Sequence, residues 1–190
     1  MILEYTKINK DNYIYLRQVL KEKFHLSARL ILKLKKEQKI LVNGEPTYLD
    51  RILNLNDKIT ILIDFIEDNS NILAAEMELN ILYEDEGLLI LDKPAGIPVH
   101  PSMQHYSDSL SNGVKFYFDK IKLYKKIRPV NRLDRDTSGI VIFAKNEYIH
   151  NILSQQMQHG ILKKKYIAIC EGIFDLKEGI IDFPITRKEN

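Results

Sequence analysis

Cysteine occurs once in these 190 residues, so no internal disulfide framework is available. The single thiol, Cys170, sits in the apolar stretch YIAIC, where the expectation is an inert, buried side chain. Long hydrophobic runs are also missing: nothing approaches the roughly 18 to 20 apolar residues of a membrane span. The opening MILEYTKINKDNY has no basic segment followed by an apolar one, so no secretory signal is read, no membrane partner is expected, and the expected compartment is the cytoplasm. The five histidines (His25, His100, His105, His150, His159) lack the paired spacing of a metal site, and no cysteine cluster accompanies them. No metal is expected. What remains, 45% hydrophobic and 28% charged residues without repeats or low-complexity tracts, is the composition of a globular protein.

Charge is sparse in net terms, +2 overall, but it is unevenly spread. Residues 1–64 carry 12 Lys and Arg against 8 Asp and Glu, whereas the remaining chain carries 16 against 18. A basic excess in one part suits a polyanionic partner, although most charge runs are simply solvated faces. In that part Leu16, Val19, Leu20 and Phe24 recur at helical spacing, with Asp11 or Asn12 as candidate cap. Ser27 is placed to cap a second helix, SARLILKLKKE, with Leu30, Ile31 and Leu34 inward. Arg29, Lys33 and Lys36 stand at i, i+4 and i+7 and so share one face, a candidate RNA-binding surface. Asn43-Gly44 then supplies the positive φ angles of a tight hairpin, and the alternation of Ile59, Ile61 and Ile63 marks a half-buried strand.

The polar stretch 67–76 reads as a linker, dividing the chain into 1–66, 67–76 and 77–190. The last part opens as strand, acidic turn and strand, followed by a loop stiffened by Pro94, Pro98 and Pro101. A helix over 108–120 with Leu110, Val114 and Tyr117 or Phe118 inward, a basic segment 120–128, a strand over 140–144, a helix near 147–158 and a basic strand ILKKKYIAICEG complete it. Hairpin signals outnumber strand-helix-strand units, so the fold class is α+β with a mixed, mainly antiparallel sheet.

Between the basic segment and the strand lies RPVNRLDRDTSG. If Asn131 to Arg135 is extended, Arg132 and Asp134 project to one face and Leu133 to the other, which fits either a salt bridge or a shared catalytic cleft. Asp136 and Ser138 read as turn residues whose side-chain oxygens cap backbone amides. Spacing alone leaves open a surface ion pair at Asp134, or a carboxylate-dependent hydrolase using Asp134 with Asp136.

Two resemblances narrow this. LSARLILKLK, ILVNGEP and LNLNDKITIL resemble the S-four RNA-binding domain, with Asn56 where that family usually has glycine. YEDEGLLILDKPAGIPVHPS, RLDRDTSGIVIFAK and KKKYIAICEG, in this order, resemble three motifs of the RluA/RluD-type pseudouridine synthases. That resemblance implies an enzyme that detaches uracil from ribose and rejoins it through a ring carbon, with no cofactor. It implies Asp134 as the catalytic carboxylate, Tyr166 as the aromatic that stacks on uracil, and Arg132 as the residue reaching into the vacated RNA. Lys163, Lys164 and Lys165 would contact phosphates. The implied partner is RNA, ribosomal large-subunit RNA favoured and transfer RNA the alternative, with oligomeric state open. Asn131 stands where many members have histidine, and no Gly-Arg-x-His-Gln-Ile-Arg segment, whose arginine pairs with the carboxylate, occurs before FPITRKEN. The expectation is therefore a truncated catalytic domain of weak or absent activity. The rival reading is a noncatalytic protein that binds structured RNA.

Overall fold

The computed structural model describes residues 1–173, 178–184 and 186. Two antiparallel sheets carry the fold, each built on its own apolar cluster. The class is thus mixed α and β with antiparallel sheets, and no helix of the described residues is long and apolar enough to cross a membrane.

The first sheet has the order β1-β4-β2-β3. Its strands are β1 (Ile2–Thr6), β2 (Ile40–Val42), β3 (Glu45–Pro46) and β4 (Lys58–Leu62). β2 and β3 form the hairpin expected from Asn43-Gly44, both at positive φ, which asparagine and glycine tolerate. Asn56 also adopts a positive φ, 67°, so an asparagine fills a position suited to glycine. Ile59, Ile61 and Ile63 are buried as their alternation requires. β1 was not legible as a strand; it pairs with β4 along its whole length.

Two helices cover this sheet. The first begins as α1 (Leu16–Gln18) after Tyr15 rather than at Asp11 or Asn12, and continues as a π-helical turn, Val19–Lys23. The Gln18 carboxamide accepts from the backbone N–H groups of Ile14 and Tyr15 and so fixes the start. Asp11 instead accepts from the Tyr5 hydroxyl and the Ile8 N–H. α2 (Ala28–Lys36) is capped as expected: the Ser27 hydroxyl oxygen accepts from Leu30 N–H at 3.2 Å, and Leu30, Ile31 and Leu34 are buried.

The second sheet, β5 (Ile81–Glu84), β6 (Leu88–Lys93) and β7 (Gly139–Ala144), packs on α3 (Leu110–Lys120) through Leu89, Leu91, Val141, Phe143, Val114 and Phe118. α4 (Glu147–Gln158) starts where Asn146 accepts from Ile149 N–H at 2.9 Å. Its Tyr148, Ile149 and Ile152 belong to the apolar cluster of the N-terminal sheet, so this helix joins the two halves.

Residues 67–76 carry no helix or strand, yet they are held at several points. Glu67 N–H bonds to Tyr124 O, Ala75 N–H to Asn112 O, and the Asn112 amide to Leu73 O. The Glu67 carboxylate accepts from both terminal Arg128 nitrogens at 2.7 and 2.6 Å, with Lys33 at 3.8 Å.

Candidate active site

β6 and β7 pair from Leu88 opposite Ala144 to Lys93 opposite Gly139, so the chain leaves β6 and enters β7 at the same end of the sheet. That end brings the proline-rich loop, residues 94–99, beside the charged loop, residues 131–138. Lys93 joins them. Its side chain is completely buried and Nζ donates to Pro94 O and Ile97 O at 2.8 Å and to Arg135 O at 2.9 Å, while Gly96 N–H donates to the same Arg135 oxygen at 2.9 Å. Burial pulls the ammonium pKa below its usual range, opposed by the charge of Asp136. The far side of the proline loop is tied to α3, where Ser111 N–H and hydroxyl both donate to Val99 O. A lysine ending the apolar run LLILDK was the available sequence signal for this clamp.

The charged loop is equally constrained at its β7 side. Val130 N–H donates to Ile142 O at 2.7 Å and Ala144 N–H to Arg128 O at 2.9 Å, so residues 128–130 line the β7 edge. Asn131 extends this with its side chain: Nδ2 donates to Ile140 O and Oδ1 accepts from Ile142 N–H, both at 2.9 Å. A carboxamide offers one donor and one acceptor side by side and so imitates a backbone peptide. This is a structural use of Asn131 that its place in the motif did not reveal.

Leu133 packs against the second apolar cluster, and its neighbours Arg132 and Asp134 are exposed, as extended backbone requires. Among the described residues neither side chain has a hydrogen bond or ion pair. His100 lies within the field of Arg132: desolvation, and after it the Arg132 charge, hold the imidazole below its usual pKa. Thr137 N–H closes a turn onto Asp134 O. The expected capping of backbone amides by Asp136 does not occur; its carboxylate receives Arg135 Nε and an Arg135 terminal nitrogen at 3.1 and 3.2 Å. That hydrogen bonding holds the Asp136 carboxyl below its ordinary range.

A hollow of about 730 Å³ opens over this surface. Asn131, Leu133 and residues 136–140 line one side, and residues 162–167, including Lys163, Lys164, Lys165 and Tyr166, line the other. The structure therefore brings Tyr166 and the three lysines together with Asp136, Thr137 and Ser138. Asp134 and Arg132 belong to the same loop but do not line the hollow.

Two expectations about the downstream segment need correction. Residues 161–173 form no strand, and Ile167 and Ile169 are fully exposed. Alternation there encodes strand propensity, but a strand needs an edge to pair with, and the β7 edge is already occupied by residues 128–131. Cys170 is consequently exposed, not buried. The expected face of α2 also divides. Arg29 and Lys36 are exposed, whereas Lys33 is partly covered, its ammonium 3.7 Å from the Phe65 ring centroid and 3.8 Å from Glu67. Arg29 has Glu147 at 3.8 Å.

The Lys93 clamp carries a prediction. Lys93→Met keeps the length of the side chain but leaves the Pro94 and Ile97 carbonyls without their donor, Arg135 O keeping Gly96 N–H, so a loss of about 1 to 3 kcal/mol in unfolding free energy is expected in urea titrations. A loss below about 0.5 kcal/mol would show the clamp to be energetically neutral.

Comparison with known proteins adds sequence evidence. The chain is 37% identical over 94% of its length to an "Uncharacterized RNA pseudouridine synthase YhcT" of Bacillus subtilis, and 38% identical over 68% of its length to "Ribosomal large subunit pseudouridine synthase D" of Borreliella burgdorferi. It spans 59% and 42% of those proteins, about half the length of the curated relatives it matches. Superposition on the solved structure of "Human RNA Pseudouridylate Synthase Domain Containing 4" gives a TM-score of 0.36 at 20% identity, over 42% of this chain and 30% of that one, too low to carry an argument. The decisive match is to a family model: residues 87–190, more than half of the chain and the stretch that holds both loops and the hollow, fit "RNA pseudouridylate synthase", and the chain belongs to that family.

Proposed function

We propose that this chain is the RNA-binding and central catalytic portion of a pseudouridine synthase, isomerising specific uridines without a cofactor. The observation that carries the reading is the hollow in which an aromatic side chain, Tyr166, and three lysines face a loop fastened to the sheet by Lys93 and Asn131. Asp134, on that loop, is the catalytic carboxylate; it attacks the anomeric carbon or removes a proton from the adjacent sugar carbon. Tyr166 stacks on the extracted uracil, a contact worth roughly 1 to 3 kcal/mol per base, which offsets much of the few kcal/mol that extraction costs. Arg132 occupies the space the base leaves. Lys163, Lys164 and Lys165 hold phosphates and give affinity without naming a sequence.

Residues 1–66 act as an S-four-type RNA-binding unit, residues 67–76 connect it, and residues 77–190 carry the chemistry. Within the unit, Arg29 and Lys36 are the contacts best supported by exposure, and Lys33 acts more weakly because Glu67 and Phe65 already engage it. The favoured substrate is large-subunit ribosomal RNA, supported by the relatives named for that reaction, and the site of action is the cytoplasm. The competing reading is a noncatalytic platform for structured RNA.

Incubation with RNA containing 5-fluorouridine separates these. A synthase forms a slow, Asp134-dependent covalent adduct visible as a shifted band, and a binder forms none. The same assay on the chain extended over the full length of its relatives measures what the additional residues contribute. Pseudouridine mapping in ribosomal RNA from cells with and without the gene identifies the target; an unchanged map would eliminate the ribosomal assignment.

A further inference from the structure

We infer that the N-terminal unit carries a stacking site for one unpaired RNA nucleotide, formed by Tyr48 and the C-terminal end of α2, apart from the Arg29–Lys36 face. The inference rests on the reading that this unit binds RNA. A hollow of about 300 Å³ lies between the end of α2 and the loop after β3, lined by Lys35, Gln38, Ile40, Pro46, Thr47 and Tyr48. Tyr48 is 68% exposed, far more than a tyrosine needs merely to wet its hydroxyl, and the residue borders the hollow. Ile40 and Pro46 give the hollow an apolar component.

The polar groups are of the kinds that read a nucleotide. A carboxamide can bond to base edges in a way that a charged group cannot, and Gln38 sits at positive φ just past the helix, where it borders the hollow. Thr47 adds a hydroxyl able to donate or accept. Lys35 supplies the cation for a phosphate.

Charge complementarity favours RNA over a neutral or basic partner. Of the acids near this end of the unit, Asp50 receives Arg17 at 2.6 Å and Glu37 receives Lys39 at 3.2 Å, while Glu45, exposed on β3 beside Pro46, has no cation within ion-pair distance among the described residues. α2 itself, ARLILKLKK, contains no acid. Lys35 and Lys36 have no carboxylate within ion-pair distance among the described residues, so against the single free Glu45 this corner keeps a net positive charge around an exposed tyrosine. Lys35 lies two residues from Lys33, hence on the side of the helix turned away from Glu67 and the rest of the chain. A nucleotide stacked on Tyr48 would lie outside the hollow bordered by Tyr166, giving the RNA two separated points of attachment.

The test uses the full chain and fluorescein-labelled single-stranded oligouridylate of about ten nucleotides, within the usual footprint of single-strand binders, with a duplex of equal length for comparison. Tyr48→Ala is expected to weaken single-strand binding about tenfold, Tyr48→Phe to leave it within about twofold, and duplex binding to stay unchanged. Lys35→Gln should lower the slope of log affinity against log salt by about 0.7, the contribution of one phosphate on a single strand. With 4-thiouridine in the oligonucleotide, photocrosslinks should map to the peptide containing Tyr48. If Tyr48→Ala binds like the unaltered chain while replacement of Lys163, Lys164 and Lys165 reduces binding, the stacking site is wrong and RNA binding by the chain stands. If the unaltered chain binds neither RNA, both fall. Equal losses for single strand and duplex would also overturn the site, because a stacked base must be unpaired.

Discussion

Changing Asp134 to asparagine is expected to abolish pseudouridine formation, by about a thousandfold or more, and to abolish the adduct with 5-fluorouridine RNA. Asparagine keeps the shape of the side chain but can neither attack the sugar nor take its proton. Asp134 is exposed and anchors nothing through its carboxylate among the described residues, so RNA affinity and unfolding free energy should both stay close to those of the parent. The loss would then fall on turnover and not on binding. Asp136 makes the informative comparison, because it is the carboxylate that lines the hollow with Tyr166. It is committed to Arg135 through two hydrogen bonds, which makes it a weak base. Asp136→Asn should reduce the rate by no more than about fivefold, the scale of one exposed ion pair. The reverse pattern, an inactive Asp136→Asn beside an active Asp134→Asn, would transfer the catalytic role to Asp136 and require a different account of the loop.

Local signals in the sequence were reliable where a side chain acts on its own backbone. Ser27 caps α2, Asn43-Gly44 turns the hairpin, and the helix expected near 147–158 is α4. Misreadings came from partners distant in sequence. The first helix starts late because Gln18 reaches back to Ile14 and Tyr15, and no residue type at Asp11 or Asn12 betrays that choice. β1 exists because β4 offers it an edge along Ile2–Thr6. Residues 161–173 have the alternation of a strand, but the edge of β7 is taken by residues 128–131 and by Asn131 acting as a peptide mimic. The site divides in the same way. Motif resemblance draws attention to Asp134, Tyr166 and Arg132 by type and order, whereas Lys93 as the clamp between two loops is visible only once β6 and β7 bring their ends together. Lys33 shows how helical spacing can mislead: it identifies a face but not what that face will meet.

What Lys33 meets supplies the second large effect. Glu67 and Arg128 form a bidentate pair whose side chains are 8% and 15% exposed, and the pair lies where the N-terminal sheet hands over to the rest of the chain. Arg128 begins the segment that runs along β7 to Asn131 and Asp134, so an ion pair sixty-one residues apart in sequence holds the base of the charged loop against the N-terminal unit. Glu67→Ala leaves the Arg128 guanidinium and Lys33 with no carboxylate between them, and a loss of about 3 to 5 kcal/mol is expected by urea unfolding. Replacing both Glu67 and Arg128 with methionine should recover most of it, because the cost lies in the unpaired buried charge. The acid side of the stability profile gives an independent reading. Burial pushes the Glu67 carboxyl up, but the Arg128 hydrogen bonds and charge outweigh it and hold the native pKa below the ordinary 4.5. The unfolded chain therefore binds this proton at higher pH than the native one. The stabilisation is complete above pH 4.5 and disappears as pH falls through the lower native value. Glu67→Gln should flatten that part of the curve of unfolding free energy against pH and leave the slope above pH 5 unaltered. A Glu67→Ala loss below about 1 kcal/mol, with an unchanged acid limb in Glu67→Gln, would mean that the pair contributes no more than a surface contact and that the charged loop is held by Lys93 and Asn131 alone.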